Sequence, residues 1–175
     1  TAPTAAATVL AAEKQGLTNF YVLSAHKLVP PALRMLLADP EVRVDGFILP
    51  GHVCVVTGTE AFAFLPRDYQ MPGVVTGFEP LDILRSLYRL SCQTAAGIAK
   101  IENEYGRVVR PEGNPAAWKV LREVYETVDA SWRGIGRIEK SGLAVNEKYR
   151  RFDIEAVRPV ELPEKKKKTA CRCGE

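Results

Sequence analysis

Two short runs, the FILP that ends Val44–Pro50 and the VVT within Gly73–Gly77, are apolar without the polar alternation of a half-exposed strand. A strand with that pattern is buried on both faces, the condition of a parallel sheet covered by helices. The segments between them have helical character, and strand–helix alternation with short junctions points to the same architecture. The pattern therefore predicts an α/β fold: a three-layer domain with a mainly parallel sheet covered by helices.

The other elements follow from local signals. Ala-rich Thr4–Gln15 reads as a helix, and NFYVLSA (Asn19–Ala25) as a first strand. VPPALRMLLAD is helical with its prolines in the first turn, and GHVCVVTG is a short helix. FEPLDILRSLYRLSCQTAAG carries the clearest helical period, with Pro80 first, Asp82 near the positive end, and Leu81, Leu84, Leu87, Tyr88 and Ser91 on one face. A last helix begins at Asn114 as N-cap and Pro115, and its expected buried stripe is Trp118, Leu121, Val124, Tyr125 and Val128. Residues 1–130 are assigned to the α/β domain and 131–163 to a turn-rich return segment. Residues 164–175 are assigned to a linker and the start of a terminal segment.

Charge and cysteine content narrow the function classes. Of a net +3, four positive charges sit in the run Lys165–Lys168, so no nucleic-acid footprint is expected. No stretch is long and apolar enough to suggest a membrane span, and no signal-type start is visible. Four cysteines at irregular spacing do not form a secreted disulfide framework, which favours a cytoplasmic setting. The chain opens without Met and directly in helical sequence, so a non-natural N-terminus is expected.

Ligands of open α/β sheets collect beyond the carboxyl ends of the strands. Three junctions there carry polar residues: His26 in LSAHKLVPP, His52 in LPGHVCVV and Glu79 in TGFEPLD. Two imidazoles and a carboxylate suit a metal or acid–base chemistry, and the same residues equally suit helix caps and turns. Cys54 and Cys92 are expected to be packed as small hydrophobes. Gly-x-Gly in RGIGRI lacks the strand and third glycine of a dinucleotide site. The stretch Ile101–Asn114 reads as a salt-bridged loop or a partner surface. Cys171 and Cys173 form a Cys-x-Cys pair suited to an iron–sulfur cluster or zinc, but two thiolates complete neither site.

FILPGHVCVVTG, VVTGFEPLDILRSLY, NEYGRVVRPEGN, WRGIG and the terminal CRCGE occur here in the order that they have in the HypD family of NiFe-hydrogenase maturation proteins, and the chain resembles that family along nearly its entire length. The resemblance implies a scaffold and redox protein that assembles an Fe(CN)2CO centre with a HypC-type chaperone and a HypE-type cyanide donor. It further implies two similar α/β domains and a C-terminal 4Fe–4S segment. This chain matches the second α/β domain and the start of the cluster segment.

The family's N-terminal cysteine motifs and the cysteines that follow CRCGE are absent, so a fragment without independent activity or cofactor is expected. By the same resemblance, His52 and Glu79 take the catalytic positions facing a central cleft. Cys171 and Cys173 take the cofactor-binding positions, with Cys173 as the 4Fe–4S ligand, and His26 is carried as a further metal ligand. Cys54 stands where relatives carry a small hydroxyl residue. Two alternatives remain open: a small metal-dependent α/β enzyme using His26, His52 and Glu79, and a thiol redox module built on Cys171 and Cys173.

Overall fold

The computed structural model describes residues 1–159. In chain order the elements are α1 (Ala2–Lys14), α2 (Val29–Ala38), β1 (Phe47–Pro50), α3 (Gly51–Thr57), α4 (Phe64–Tyr69), β2 (Gly73–Thr76), α5 (Pro80–Ala96), β3 (Ile101–Asn103), α6 (Pro115–Val124), β4 (Tyr125–Trp132), β5 (Gly136–Val145) and α7 (Ile154–Val157). Short 3-10 turns cover Glu60–Phe62 and Glu147–Phe152. The chain divides into two compact units: Leu33–Val120, and Thr1–Ala32 together with the chain from Leu121 onward.

The unit Leu33–Val120 holds a parallel sheet of order β1-β2-β3, flanked by helices. Phe47 pairs with Gly73 and Pro50 with Thr76, while Gly73 pairs with Ile101 and Val75 with Asn103. Central β2 is buried along its whole length, as its unbroken apolar run requires. Leu49, Cys54, Phe62, Phe64, Leu65, Val74, Val75 and Val109 form the core of this unit. The α/β architecture with a parallel sheet is as the sequence predicts.

Helix α6 starts as its cap signals dictate: Asn114 Oδ1 accepts from the Ala117 backbone N–H at 3.0 Å. It ends at Val124, so Tyr125 and Val128 lie in β4 and not on the helical stripe expected for them.

The other unit is built around the antiparallel hairpin β4–β5. The sequence predicts only a turn-rich segment after residue 130, yet β5 continues to Val145. The hairpin is concealed by a register shift between Val128 and Ala130. There the Asp129 carboxylate accepts from the Lys140 N–H and the Arg137 guanidinium, both at 3.0 Å. Pairing passes from Val128–Gly142 to Ala130–Ile138, so three residues of β5 bulge opposite Asp129 alone and interrupt the regular ladder. In the same unit Ala6, Val9 and Ala12 of α1 are buried, and Phe20 lies against Phe152, with centroids 6.2 Å apart.

The expected strand Asn19–Ala25 does not form. Val22 makes one isolated bridge with Asp153, and Lys27 one with Gly142. Val22 donates to the Phe152 carbonyl at 2.7 Å and accepts from the Ile154 N–H at 3.1 Å. A ladder needs a neighbour with repeating free groups; here the neighbour is the turn at Phe152–Ile154, which offers one donor and one acceptor.

Helix α5 packs inward by its polar face. Asp82, Ser86 and Gln93 are its buried residues, whereas Leu81, Leu84, Leu87 and Tyr88 are exposed. Cys92, expected to be packed, is exposed beside Tyr88. Among the described residues no helix is long and apolar enough to cross a membrane.

Candidate functional site

The carboxyl ends of β1, β2 and β3 open on one edge of the parallel sheet, and each strand feeds one part of a polar and aromatic cluster. β1 runs directly into α3, which puts His52 in the first turn. β2 runs through Gly77 and Phe78 to Glu79, the N-cap of α5. β3 runs into the loop that carries Tyr105 and Arg107.

Two glycines make this convergence possible by close approach. A Cβ on Gly51 would collide with the Thr76 carbonyl oxygen, and one on Gly77 with the Asp82 carboxylate. A side chain at Gly51 would push the start of α3 away from the end of β2, and one at Gly77 would displace Asp82.

The His52 ring lies against Phe78, with centroids 4.2 Å apart, and 6.2 Å from Tyr105. The Arg107 guanidinium lies 4.5 Å from the Tyr105 ring centroid and donates to both Asp82 oxygens, at 2.9 and 2.7 Å. A second carboxylate, Glu79, stands 3.8 Å from the same guanidinium, with its side chain 76% exposed. The Asp82 side chain is only 9% exposed. Its carboxyl is held below the usual carboxylate range, first by the Arg107 hydrogen bonds and against the opposing effect of desolvation. The same pair raises the pKa of Arg107.

The loop itself is braced by Asn103, whose Oδ1 accepts from the Tyr105 N–H at 3.0 Å and whose Nδ2 donates to the Val109 carbonyl at 3.2 Å. On the flank, Arg89 of α5 pairs with Glu102 at 2.8 Å and with Glu104. The stretch Ile101–Asn114 thus opens with β3 and continues as a loop, with Glu102, Glu104 and Arg107 in salt bridges.

His52 and Glu79 therefore share one edge, and both face solvent. His26 belongs to the other unit. There its Nδ1 is 3.2 Å from Ser24 Oγ, and its ring meets Tyr125 edge-on at 5.7 Å. Partial burial lowers its pKa. Cys171 and Cys173 lie outside the described residues.

Among the described residues no group of three or more His, Cys, Asp or Glu could hold a metal. Cys54 is fully buried, its thiol pushed up to about 12 by desolvation, and exposed Cys92 has no second cysteine beside it among the described residues. The described thiols do not fit an iron–sulfur cluster, which needs thiolates gathered around one centre.

Sequence reasoning missed Phe78 and the coupling of Asp82 to Arg107. Asp82 has the position of an ordinary helix-dipole carboxylate, and a partner 25 residues away leaves no local spacing to read. The arrangement offers an exposed imidazole on an aromatic platform, an exposed carboxylate, and a guanidinium fixed from one side.

An α/β chain with such a cluster at the carboxyl edge of its sheet belongs to the class that works through strand-end loops. Comparison with known proteins gives the family. The HypD family model, described as the hydrogenase formation hypA family, matches residues 1–175. A putative hydrogenase expression/formation protein of Methanocaldococcus jannaschii is 40% identical over 99% of this chain and 48% of its own length. The hydrogenase maturation factors HypD of Rhodobacter capsulatus and Escherichia coli are 44% and 43% identical over 89% of this chain, and over 41% and 42% of their own lengths. The chain belongs to the HypD family. It spans about half the length, or somewhat less, of the curated relatives that it matches.

Proposed function

We propose that this chain acts as part of a NiFe-hydrogenase maturation factor, a cytoplasmic scaffold and redox protein on which an Fe(CN)2CO centre is assembled. The observation that carries the reading is the family match along all 175 residues, joined to relatives whose names state hydrogenase maturation. In this reading a HypC-type chaperone and a HypE-type cyanide donor are the partners, and the iron centre under construction is cargo. His52 and Glu79 are the residues of this chain that meet the cargo or the partner that presents it. Their exposure at one sheet edge supports that role.

The redox function and the 4Fe–4S cluster are assigned to a longer protein of which this chain is one piece. The described cysteines supply no cluster site, and Cys171 and Cys173 contribute at most two ligands. The piece alone is expected to be inactive. The reading of a small enzyme with a metal held by His26, His52 and Glu79 is not favoured: no group of metal-binding size occurs among the described residues.

The test is a chimera in which this chain replaces the matching portion of the Escherichia coli relative, in a strain that lacks the relative. Hydrogenase activity is expected to return with the chimera and not with the chain alone. His52→Ala or Glu79→Ala in the chimera should lower it at least about a hundredfold, the low end for losing one positioned proton-transfer group. A soluble chimera that restores nothing would overturn the proposal.

A further inference from the structure

Helix α5 meets the parallel sheet with its polar side and turns its apolar side out. Asp82, Ser86 and Gln93 are buried, while Leu81 is 56% exposed, Leu84 64% and Tyr88 71%. Leu87 is exposed on the same side, and exposed Phe78, just ahead of the helix, continues the surface to the His52 ring. An apolar surface gathered in this way marks a place where protein meets protein.

We propose that this face of α5 is an internal interface of a longer protein. It is covered by chain of that same protein lying outside the portion matched here, through an apolar surface that brings a carboxylate to Arg85. The inference rests on the reading of this chain as one piece of a maturation factor.

The length of the relatives argues for that occupant. The chain covers 48%, 41% and 42% of the relatives from Methanocaldococcus jannaschii, Rhodobacter capsulatus and Escherichia coli, so more than half of each lies beyond the matched portion. Chain tied to this unit by its own backbone acts at an effective concentration on the order of millimolar, which a separate protein does not reach.

Composition argues the same way. Asp82 is the one carboxylate of α5, and it is turned inward to Arg107, so the outward side carries no acid. Surfaces that stay joined are more apolar than those of partners that come and go. Charge then sets what the covering surface must offer. The groove beside the face is lined by Arg85, Tyr88, Arg89, Cys92, Glu102 and Glu104, and both glutamates are already engaged by Arg89, with Lys100 also on Glu102. Arg85 forms no salt bridge among the described residues, and a guanidinium covered by docking needs a carboxylate beside it.

The test compares the isolated chain with the purified chimera that joins it to the remainder of the Escherichia coli relative. Cys92 in the groove is a native probe, and Leu84→Cys places a second one on the face. Alkylation by N-ethylmaleimide, read peptide by peptide by mass spectrometry, should be fast at both positions in the isolated chain. In the chimera it should be at least about tenfold slower, because a covered thiol reacts only when the contact opens. Leu84→Asp in the chimera should return Cys92 to the rate of the isolated chain, while buried Cys54 stays unreactive and reports that the unit is still folded.

Equal rates in chain and chimera, or a Leu84→Asp chimera as protected as its parent, would overturn the proposal. So would protection that appears only when a separate protein is added, or protection of the isolated chain that grows with its own concentration. Hydrogenase activity is read independently. A soluble chimera that shields α5 without restoring activity counts against the maturation reading alone, and an active one with α5 open counts against this inference alone.

Discussion

Arg107 donates to both oxygens of Asp82, at 2.9 and 2.7 Å, from a loop that also carries Tyr105. The pair fastens the loop after β3 to the first turn of α5. It also fixes the guanidinium over the Tyr105 ring, and Tyr105 in turn neighbours His52. A nearly buried carboxylate without a cation would be costly; with one, it is a rigid anchor for the strand-end cluster.

That anchor should be visible in acid. Asp82 titrates below its unfolded value because the charged form is hydrogen-bonded to Arg107. A depressed carboxylate contributes stability above the unfolded pKa and loses it as pH falls through the folded one. The loss therefore belongs below about pH 4. Urea midpoints at neutral pH and at about pH 3 should differ more for the wild-type chain than for Asp82→Asn. An equal drop in both chains would refute the assignment of acid sensitivity to this pair.

Gly77 is the residue that lets Asp82 come so close to the end of β2. A methyl group there would strike the carboxylate and stand 3.0 Å from Cδ2 of the Tyr105 ring. Gly77→Ala should destabilise the chain by about 1–3 kcal/mol, the range for forcing extra volume into a packed place. It should also weaken the acid dependence just described, because the displaced carboxylate can no longer hold Arg107 bidentately. Denaturant unfolding at two pH values measures both effects, and an alanine variant with wild-type stability would show that the contact is not limiting.

The two described cysteines should react very differently. Cys54 is fully buried and its thiol is pushed up to about 12, while Cys92 is exposed. Alkylation requires an accessible thiolate. Peptide mass spectrometry after a short iodoacetamide pulse at about pH 8 should find Cys92 modified and Cys54 untouched, with Cys54 reacting only in denaturant. Modification of Cys54 at the rate of Cys92 in the folded chain would contradict the packing around α3.

The legible parts were those with local causes. The buried β1 and β2 runs, the Asn114 cap and the Pro80 start are written in neighbouring residues, and so is the placing of His52 and Glu79 beyond the strand ends. What was illegible depends on distant chain. Asn19–Ala25 has the composition of a strand, but its neighbour offers single hydrogen-bonding groups and no ladder. The shift at Asp129 hid a hairpin. The period of α5 was legible and its orientation was not, because an apolar stripe shows that a helix has two faces and not which one meets the sheet. Cys92 was misplaced for the same reason. The Asp82–Arg107 pair closes a separation that no motif spans.

The hairpin gives the last prediction. Trp132 donates its indole N–H to Ser141 Oγ at 2.8 Å, and that hydroxyl donates in turn to the Ile138 carbonyl at 2.8 Å. Ser141 is completely buried. Ser141→Ala removes the acceptor of the indole and the donor to the carbonyl together, and should cost about 1–3 kcal/mol. Trp132→Phe deletes the donor while leaving the serine its bond to Ile138, so it should cost less beyond the lost ring area. A double-mutant cycle over both positions should return a coupling of about 1 kcal/mol, since the two groups contact directly. Unfolding followed by far-UV circular dichroism supplies the four stabilities, free of the tryptophan signal that the substitution removes. A coupling indistinguishable from zero would mean that the hairpin is held by its ladder alone and that the buried serine serves Ile138 without Trp132.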